Sequence, residues 1–511
     1  MIKKRSNKPY TGNQFPDSNE WTFELIEAYH REIKRIAGEF GLNTYPVVLE
    51  IITSEQMMDS YSAVGMPLRY SHWSYGKQFL QTQQSYQRGQ MGLAYEIVIN
   101  SNPCIAYLME ENTMTMQALV IAHAAYGHNS FFKNNYLFKI WTSADSIIDY
   151  LLFSKNYISD CEERYGEETV ELFLDSCHAL MNHGVDRYKR PADINLQEEQ
   201  IKQKEREDYL QSQVNEIWKT LPKKDDSEVK KQKKRFPEEP QENLLYFIEK
   251  NAPLLKPWQR EVIRIVRKIA QYFYPQRQTQ VMNEGWACFW HYTILNKMYD
   301  EGLVSDRFIM EFLHSHTNVV MQPDYDSQWY SGINPYALGF AMMMDIRRIC
   351  EDPTDEDLHW FPDIANTDWK KTLNFAAQNF KDESFIAQYL SPKLIREFRF
   401  FSILDDDKKQ ELEVSAIHND DGYQEIRQKL SRLYDLSFYE PNIQVYNVDL
   451  TGDRSLTLRH YQCNRKPLAK STNEVMKHLK RLWGFPVRLE TETEEGKVSL
   501  VCEITDSDQQ K

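Results

Sequence analysis

No stretch of this 511-residue chain reaches the ~18 consecutive apolar residues that a membrane helix needs, so no membrane-spanning helix is expected. The basic start MIKKRSNKPYTGNQFPDS has no apolar run after it, and residues 1–17 read as a disordered lead-in rather than a secretory signal. Cysteine is sparse: seven residues (Cys104, Cys161, Cys177, Cys288, Cys350, Cys463 and Cys502) lie scattered, with no CxxC pair. That excludes a disulfide framework and predicts free thiols in a reducing, cytoplasmic compartment. Walker A, GxGxxG before a helix, GxSxG and the kinase motif set are all missing, so ATP hydrolysis, dinucleotide redox chemistry and α/β-hydrolase chemistry fall away. An excess of positive charge is lacking too. The 61 basic and 75 acidic side chains give a net charge of −14, which disfavours nucleic acid or anionic lipid as a partner of the whole protein.

What is present is core-forming material, 41% apolar and 13% aromatic, in a chain longer than one hydrophobic core usually supports. Apolar residues at helical spacing predict helices over Trp21–Leu42, Thr115–Gly127, Ser143–Tyr157 and Glu167–His183. Further helices are expected at Pro257–Tyr274, Gln280–Asp300, Asp306–His314 and Pro335–Cys350. Thr44–Thr53 and Tyr95–Asn100 are strand-like and read as an antiparallel pair around an aromatic stretch, Tyr70 to Tyr86. Residues 194–239 form a charged excursion on the surface, ending in the basic run Lys230–Arg235. After residue 438 the pattern changes to two strands, a helix at Thr472–Trp483 stopped by Gly484, and two more strands, a ββαββ unit. The fold class is therefore mainly α (α+β): a large helical domain over 18–437 and a small C-terminal α/β domain over 438–511.

Two segments carry ligand chemistry. In LVIAHAAYGH, His123 and His128 lie on a strongly apolar helix, where a polar ring must find a partner. One such ring is ordinarily a satisfied core residue; two within five residues weaken that reading. Five residues of α-helix turn by about 140°, so the rings diverge unless a π-bulge or a helix end at Gly127 brings them together. The second segment, QVMNEGWACFWHY, places His291 two turns beyond Glu284 on the same face. Its Asn283-Glu284-Gly285-Trp286-Ala287 resembles the NEGxA helix of gluzincin metallopeptidases, whose glutamate is a zinc ligand. The ordinary alternative is a buried glutamate paired with an arginine. Around Ser159–Arg190, Glu163 and His178 are expected to face the same cavity as His123. His314 and His316 read as a loop or helix end, and SGINPYALG as a capping turn into a helix.

HAAYGHNSFFKNN, CEERYG, HGVDRYKRP, NEGWACFWHYTIL and SGINPYALGF together resemble the SpoVR (stage V sporulation protein R) family, in its enterobacterial-type branch. The resemblance runs from Trp21 to about residue 490. It implies a link to spore-cortex peptidoglycan or to stress and stationary phase, beside a PrkA-type serine kinase and a von Willebrand factor A-like protein. It carries no agreed reaction.

Three readings follow. In the first, a zincin-like core binds a divalent metal, zinc foremost, through His123, His128 and Glu284, with His291 and His178 as second shell or additional ligands. Ala124 follows His123 where the HExxH pattern has its base, so Glu163 or Tyr126 is the substitute proton acceptor or oxyanion donor in a hydrolase-like reaction. The second is a non-catalytic regulatory or scaffold partner of the kinase module. The third, a helical di-metal carboxylate protein, lacks the paired ExxH motifs of that class.

Overall fold

The computed structural model describes residues 14–16, 19–62, 70, 72, 96–186, 235–324, 327–403, 419–436, 440–462 and 468–505. Most of the lead-in, of the aromatic stretch and of the charged excursion, together with Cys463, lies outside them, while Phe15 of the expected disordered lead-in is described and is buried in the core, its amide donating to Leu303 O. Two compact units divide the chain, one of residues 1–171 with 271–440 and the other of 172–270 with 441–511.

In the first unit, α1 (Phe23–Glu39) starts where the Thr22 hydroxyl accepts from the Leu25 amide, and it buries Ile33 and Ile36. A three-stranded sheet follows from β1 (Val47–Ile52), β2 (Glu96–Ile99) and β3 (Cys104–Met109). The expected antiparallel pair does not form. β3 lies between the other two, parallel to β1 and antiparallel to β2. Its sequence CIAYLM is apolar almost throughout, as a covered central strand must be, so it shows none of the alternation that betrayed its neighbours.

Thr113 caps α2 (Met114–Val120), which runs without a break into a π-helix, Ile121–His128, and then α3 (Asn129–Asn134). Every residue of the π-helix is buried. Beyond it lie α4 (Ile147–Tyr165), α5 (Gln280–Asp300), α6 (Asp306–Val319), α7 (Pro335–Glu351) and α8 (Asp382–Tyr389).

Three glycines set the spacing of this core. A Cβ on Gly127 would sit 2.6 Å from Ala287 Cα, one on Gly285 would sit 2.4 Å from the Gly339 carbonyl carbon, and one on Gly339 would sit 2.1 Å from Val281 O. The π-helix, α5 and α7 are thus in backbone contact, which only glycine permits at those points. The N-terminus of α5 is fixed by buried Asp382, whose carboxylate accepts from the amides of Val281 and Met282, each at 2.8 Å. Burial, opposed by these donors and assisted by the charge of Glu284, raises that carboxyl to about 7.

The second unit contains the small sheet. β4 (Asn442–Val448) and β5 (Leu456–Tyr461) form a hairpin, α9 (Thr472–Trp483) crosses over, and β6 (Val487–Glu492) joins parallel to β5 before β7 (Val498–Ile504) returns antiparallel. Gly484 ends α9 at φ 87°, the left-handed conformation that closes helices.

Candidate metal centre

A π-helix closes its hydrogen bonds one residue later than an α-helix, and here the Asn129 amide donates to Ala124 O, five residues back. Residues five apart therefore share a face. The His123 and His128 rings meet edge to face, 4.7 Å between centroids. Glu284 on α5 completes the set, its Oε2 lying 3.4 Å from His128 Nε2 and 3.8 Å from His123 Nε2. These separations are too long for hydrogen bonds. Glu284 Oε2 is buried and has no hydrogen-bond partner among the described residues. Two ligands at ~2.0–2.1 Å from one tetrahedral ion stand ~3.3–3.4 Å apart, so the spacing fits donors converging on a common cation.

The outer ring nitrogens are held as a ligand set requires. Asn283 Oδ1 accepts from His128 Nδ1–H at 2.9 Å, leaving the Nε2 lone pair to face Glu284. His123 Nδ1 lies 2.8 Å from His291 Nδ1, and His291 Nε2 lies 2.7 Å from His316 Nδ1. With His123 Nε2 as a ligand, only one polarity works: His123 Nδ1–H donates to His291, whose Nε2–H donates to His316. Trp286 Nε1 donates to Ser130 Oγ at 2.9 Å, and that hydroxyl donates to Gly127 O, pinning α5 to the end of the π-helix.

Burial pushes the Glu284 carboxyl up, but the His128 and His123 imidazoles outweigh it and hold the group at about 2. Burial, then the surrounding imidazoles, lowers His291 well below the ordinary histidine range. His316 is lowered to about 4, chiefly by burial and then by His123. The carboxylate is charged and these two outer imidazoles are neutral near pH 7.

The remaining expected residues stand elsewhere. Tyr126 is buried in the apolar core beside the His30 ring of α1, and burial drives its phenol far above the ordinary value, which favours a proton donor over an acceptor. Glu163 is exposed in the last turn of α4 and is not among the ligand atoms gathered around His123. His178 belongs to the second unit.

A family model described as SpoVR like protein matches residues 20–439, and one described as SpoVR-like C-terminal domain matches residues 441–494. The chain belongs to the SpoVR family. It is 66% identical over 485 residues to "Uncharacterized protein YcgB" of Escherichia coli (strain K12), with 95% of each chain covered. No solved structure matches it. Every residue of the histidine–glutamate cluster falls within the SpoVR-like region, and β4, β5, α9 and β6 of the small sheet fall within the SpoVR-like C-terminal match, which ends before β7.

Two residues of this SpoVR-family centre escaped the sequence reading. His316 stands in the last turn of α6, a helix end as expected, but it is buried there and lies against His291. Only the fold brings α6 to α5, so no local signal marked it. Cys288 was legible in principle: Glu284, Cys288 and His291 stand at i, i+4 and i+7, one stripe of α5. Ligand atoms of His123, Cys288 and His291 lie within 4.8 Å of one another.

Proposed function

We propose that this SpoVR-family chain is a cytoplasmic, metal-dependent, hydrolase-like protein whose His123, His128 and Glu284 hold one divalent ion, zinc foremost, in a zincin-like core. The observation that carries the reading is Glu284 Oε2, a buried carboxylate oxygen without a hydrogen-bond partner, set against two imidazole Nε2 atoms at 3.4 and 3.8 Å. A divalent ion bound there by three protein ligands supplies a Lewis acid and lowers the pKa of a bound water toward about 7. His128 is oriented by Asn283, and His123 by His291 and His316. Tyr126 is available as a hydrogen-bond donor rather than as the base. The substrate class to screen first is peptidoglycan fragments, in keeping with the family's link to cell-wall assembly.

A second reading draws on Ala124, which stands where the HExxH pattern carries its base, and on the exposure of Glu163. In it the ion is structural, and the chain is a regulatory or scaffold partner of a PrkA-type serine kinase and a von Willebrand factor A-like protein. Metal content tests the ion that both readings share, and activity of the loaded protein then separates them. Full-length protein purified without a metal-binding tag is expected to carry tightly bound zinc, iron or manganese, with the ion at this position lost in His128→Ala and Glu284→Gln while the fold persists. Wild-type protein free of metal after purification and reconstitution would refute the reading. A metal-loaded protein inert on every substrate class favours the structural role.

A further inference from the structure

We propose that His123, Cys288 and His291 form a second cation position, for a borderline or thiophilic ion, with the His123 ring bridging it to the His123–His128–Glu284 position. The proposal rests on the first position being a metal site and extends it to a two-ion centre.

Three observations carry it. Ligand atoms of the three side chains lie within 4.8 Å of one another, and all three residues are buried. Helix α5 delivers an oxygen, a sulfur and a nitrogen donor on one stripe, so the helix that presents Glu284 to one edge of the His123 ring also presents Cys288 and His291 near that ring. The third is an outer partner that parallels the first position. Asn283 Oδ1 holds the His128 ring at Nδ1 with Nε2 facing Glu284, and His316 Nδ1 lies 2.7 Å from His291 Nε2, so that with His316 accepting there the His291 Nδ1 lone pair is turned toward His123. Oriented imidazoles of this kind are the usual surroundings of a metal ligand.

The donor set, two imidazoles and a thiolate, suits Zn²⁺, Co²⁺ or Cu⁺ rather than Mg²⁺ or Ca²⁺. Binding of a divalent ion there displaces two protons, the Cys288 thiol proton and the one shared between His123 Nδ1 and His291 Nδ1, and no electron moves. Two positive charges enter and two leave, so the buried centre gains no net charge. That balance makes a second ion affordable in an apolar interior.

The test is a cobalt titration of the full-length, chelator-stripped protein, read by equilibrium dialysis and absorption. Two Co²⁺ per chain are expected. The second should bring a near-ultraviolet thiolate-to-cobalt charge-transfer band, absent from Cys288→Ser and Cys288→Ala, which keep the first ion. One Co²⁺ per chain without that band, in wild-type protein, overturns the second position and leaves the first standing. One Co²⁺ with the band means a single ion that uses Cys288, which overturns the two-ion arrangement too. No bound cobalt at all overturns both positions. The wild-type result decides between these outcomes even where a variant fails to fold.

Discussion

Each unit of the protein sets a glutamate carboxylate largely out of solvent, Glu249 fully and Glu284 with its Oε2 buried, and the two are stabilised in opposite ways. Glu249, in the second unit, is held by permanent cations: Arg264 at 3.0 Å, Arg267 at 3.1 Å and Lys250 at 3.2 Å. Burial would raise its carboxyl, and those cations bring it below the ordinary value. Glu284, in the first unit, faces only imidazoles, whose charge is optional, at distances longer than hydrogen bonds. A carboxylate compensated by arginine has its counter-charge built into the covalent chain, and it needs nothing else. A carboxylate facing imidazoles has no permanent counter-charge in the covalent chain, so protons or a bound cation must supply it. The first arrangement is self-contained, and the second is the one we propose as a cation site.

Stability measurements on chelator-treated protein sharpen the contrast. Glu249→Gln leaves two guanidinium groups short of their partner, which costs ~3–5 kcal/mol for a buried pair. The expected loss sits at the lower end because the Arg264 side chain is 38% exposed. Glu284→Gln removes a carboxylate that the neighbouring imidazoles, not guanidinium groups, hold in its charged form, so its apo stability should fall by less than that of Glu249→Gln. Equal losses in urea denaturation would erase the distinction. Acid provides the next effect. His316 titrates near 4 in the folded protein, against about 6.5 unfolded. As pH falls through that window the unfolded chain takes up the proton first, so the stability that is fully present above pH 6.5 is lost toward pH 4, by about 3 kcal/mol for this residue. His316→Gln should flatten the slope in denaturation series run between pH 7 and pH 4. A slope unchanged in the variant would place the acid sensitivity elsewhere.

The ease with which each region could be read from sequence follows the same divide. In the small sheet the rules are local: strand alternation, a turn between β4 and β5, and a left-handed glycine after α9. Thr472–Trp483, Val487–Glu492 and Val498–Ile504 all stand where those rules put them. The candidate centre is assembled from distant segments. His123 and His128 could be singled out because two rings on an apolar helix are hard to explain otherwise, and their five-residue spacing demanded the π-turn that the fold provides. Glu284 stood out by its resemblance to a known ligand helix. His316 could not be found, since its only distinction is that it touches His291 from 25 positions away. β3 was missed because complete burial removes the period that identifies a strand.

The π-helix itself offers the smallest and most diagnostic break. Gly127 sits between the two histidines, and an added Cβ would stand 2.6 Å from Ala287 Cα and 2.9 Å from its Cβ. Neither atom belongs to a flexible side-chain end, so the backbones must separate, at a cost of ~1–3 kcal/mol for overpacking. The separation also carries His128 away from Glu284, because Glu284 and Ala287 ride on the same helix. Gly127→Ala should therefore lose metal affinity at least tenfold while the protein remains folded, and Glu249, with its arginines in the other unit, should be untouched. Retained affinity in a folded Gly127→Ala protein, measured by competition with a chelator, would show that the centre does not depend on this contact. Lost affinity with intact Glu249 energetics would show that one backbone contact, and not the inventory of ligands alone, makes the cation site.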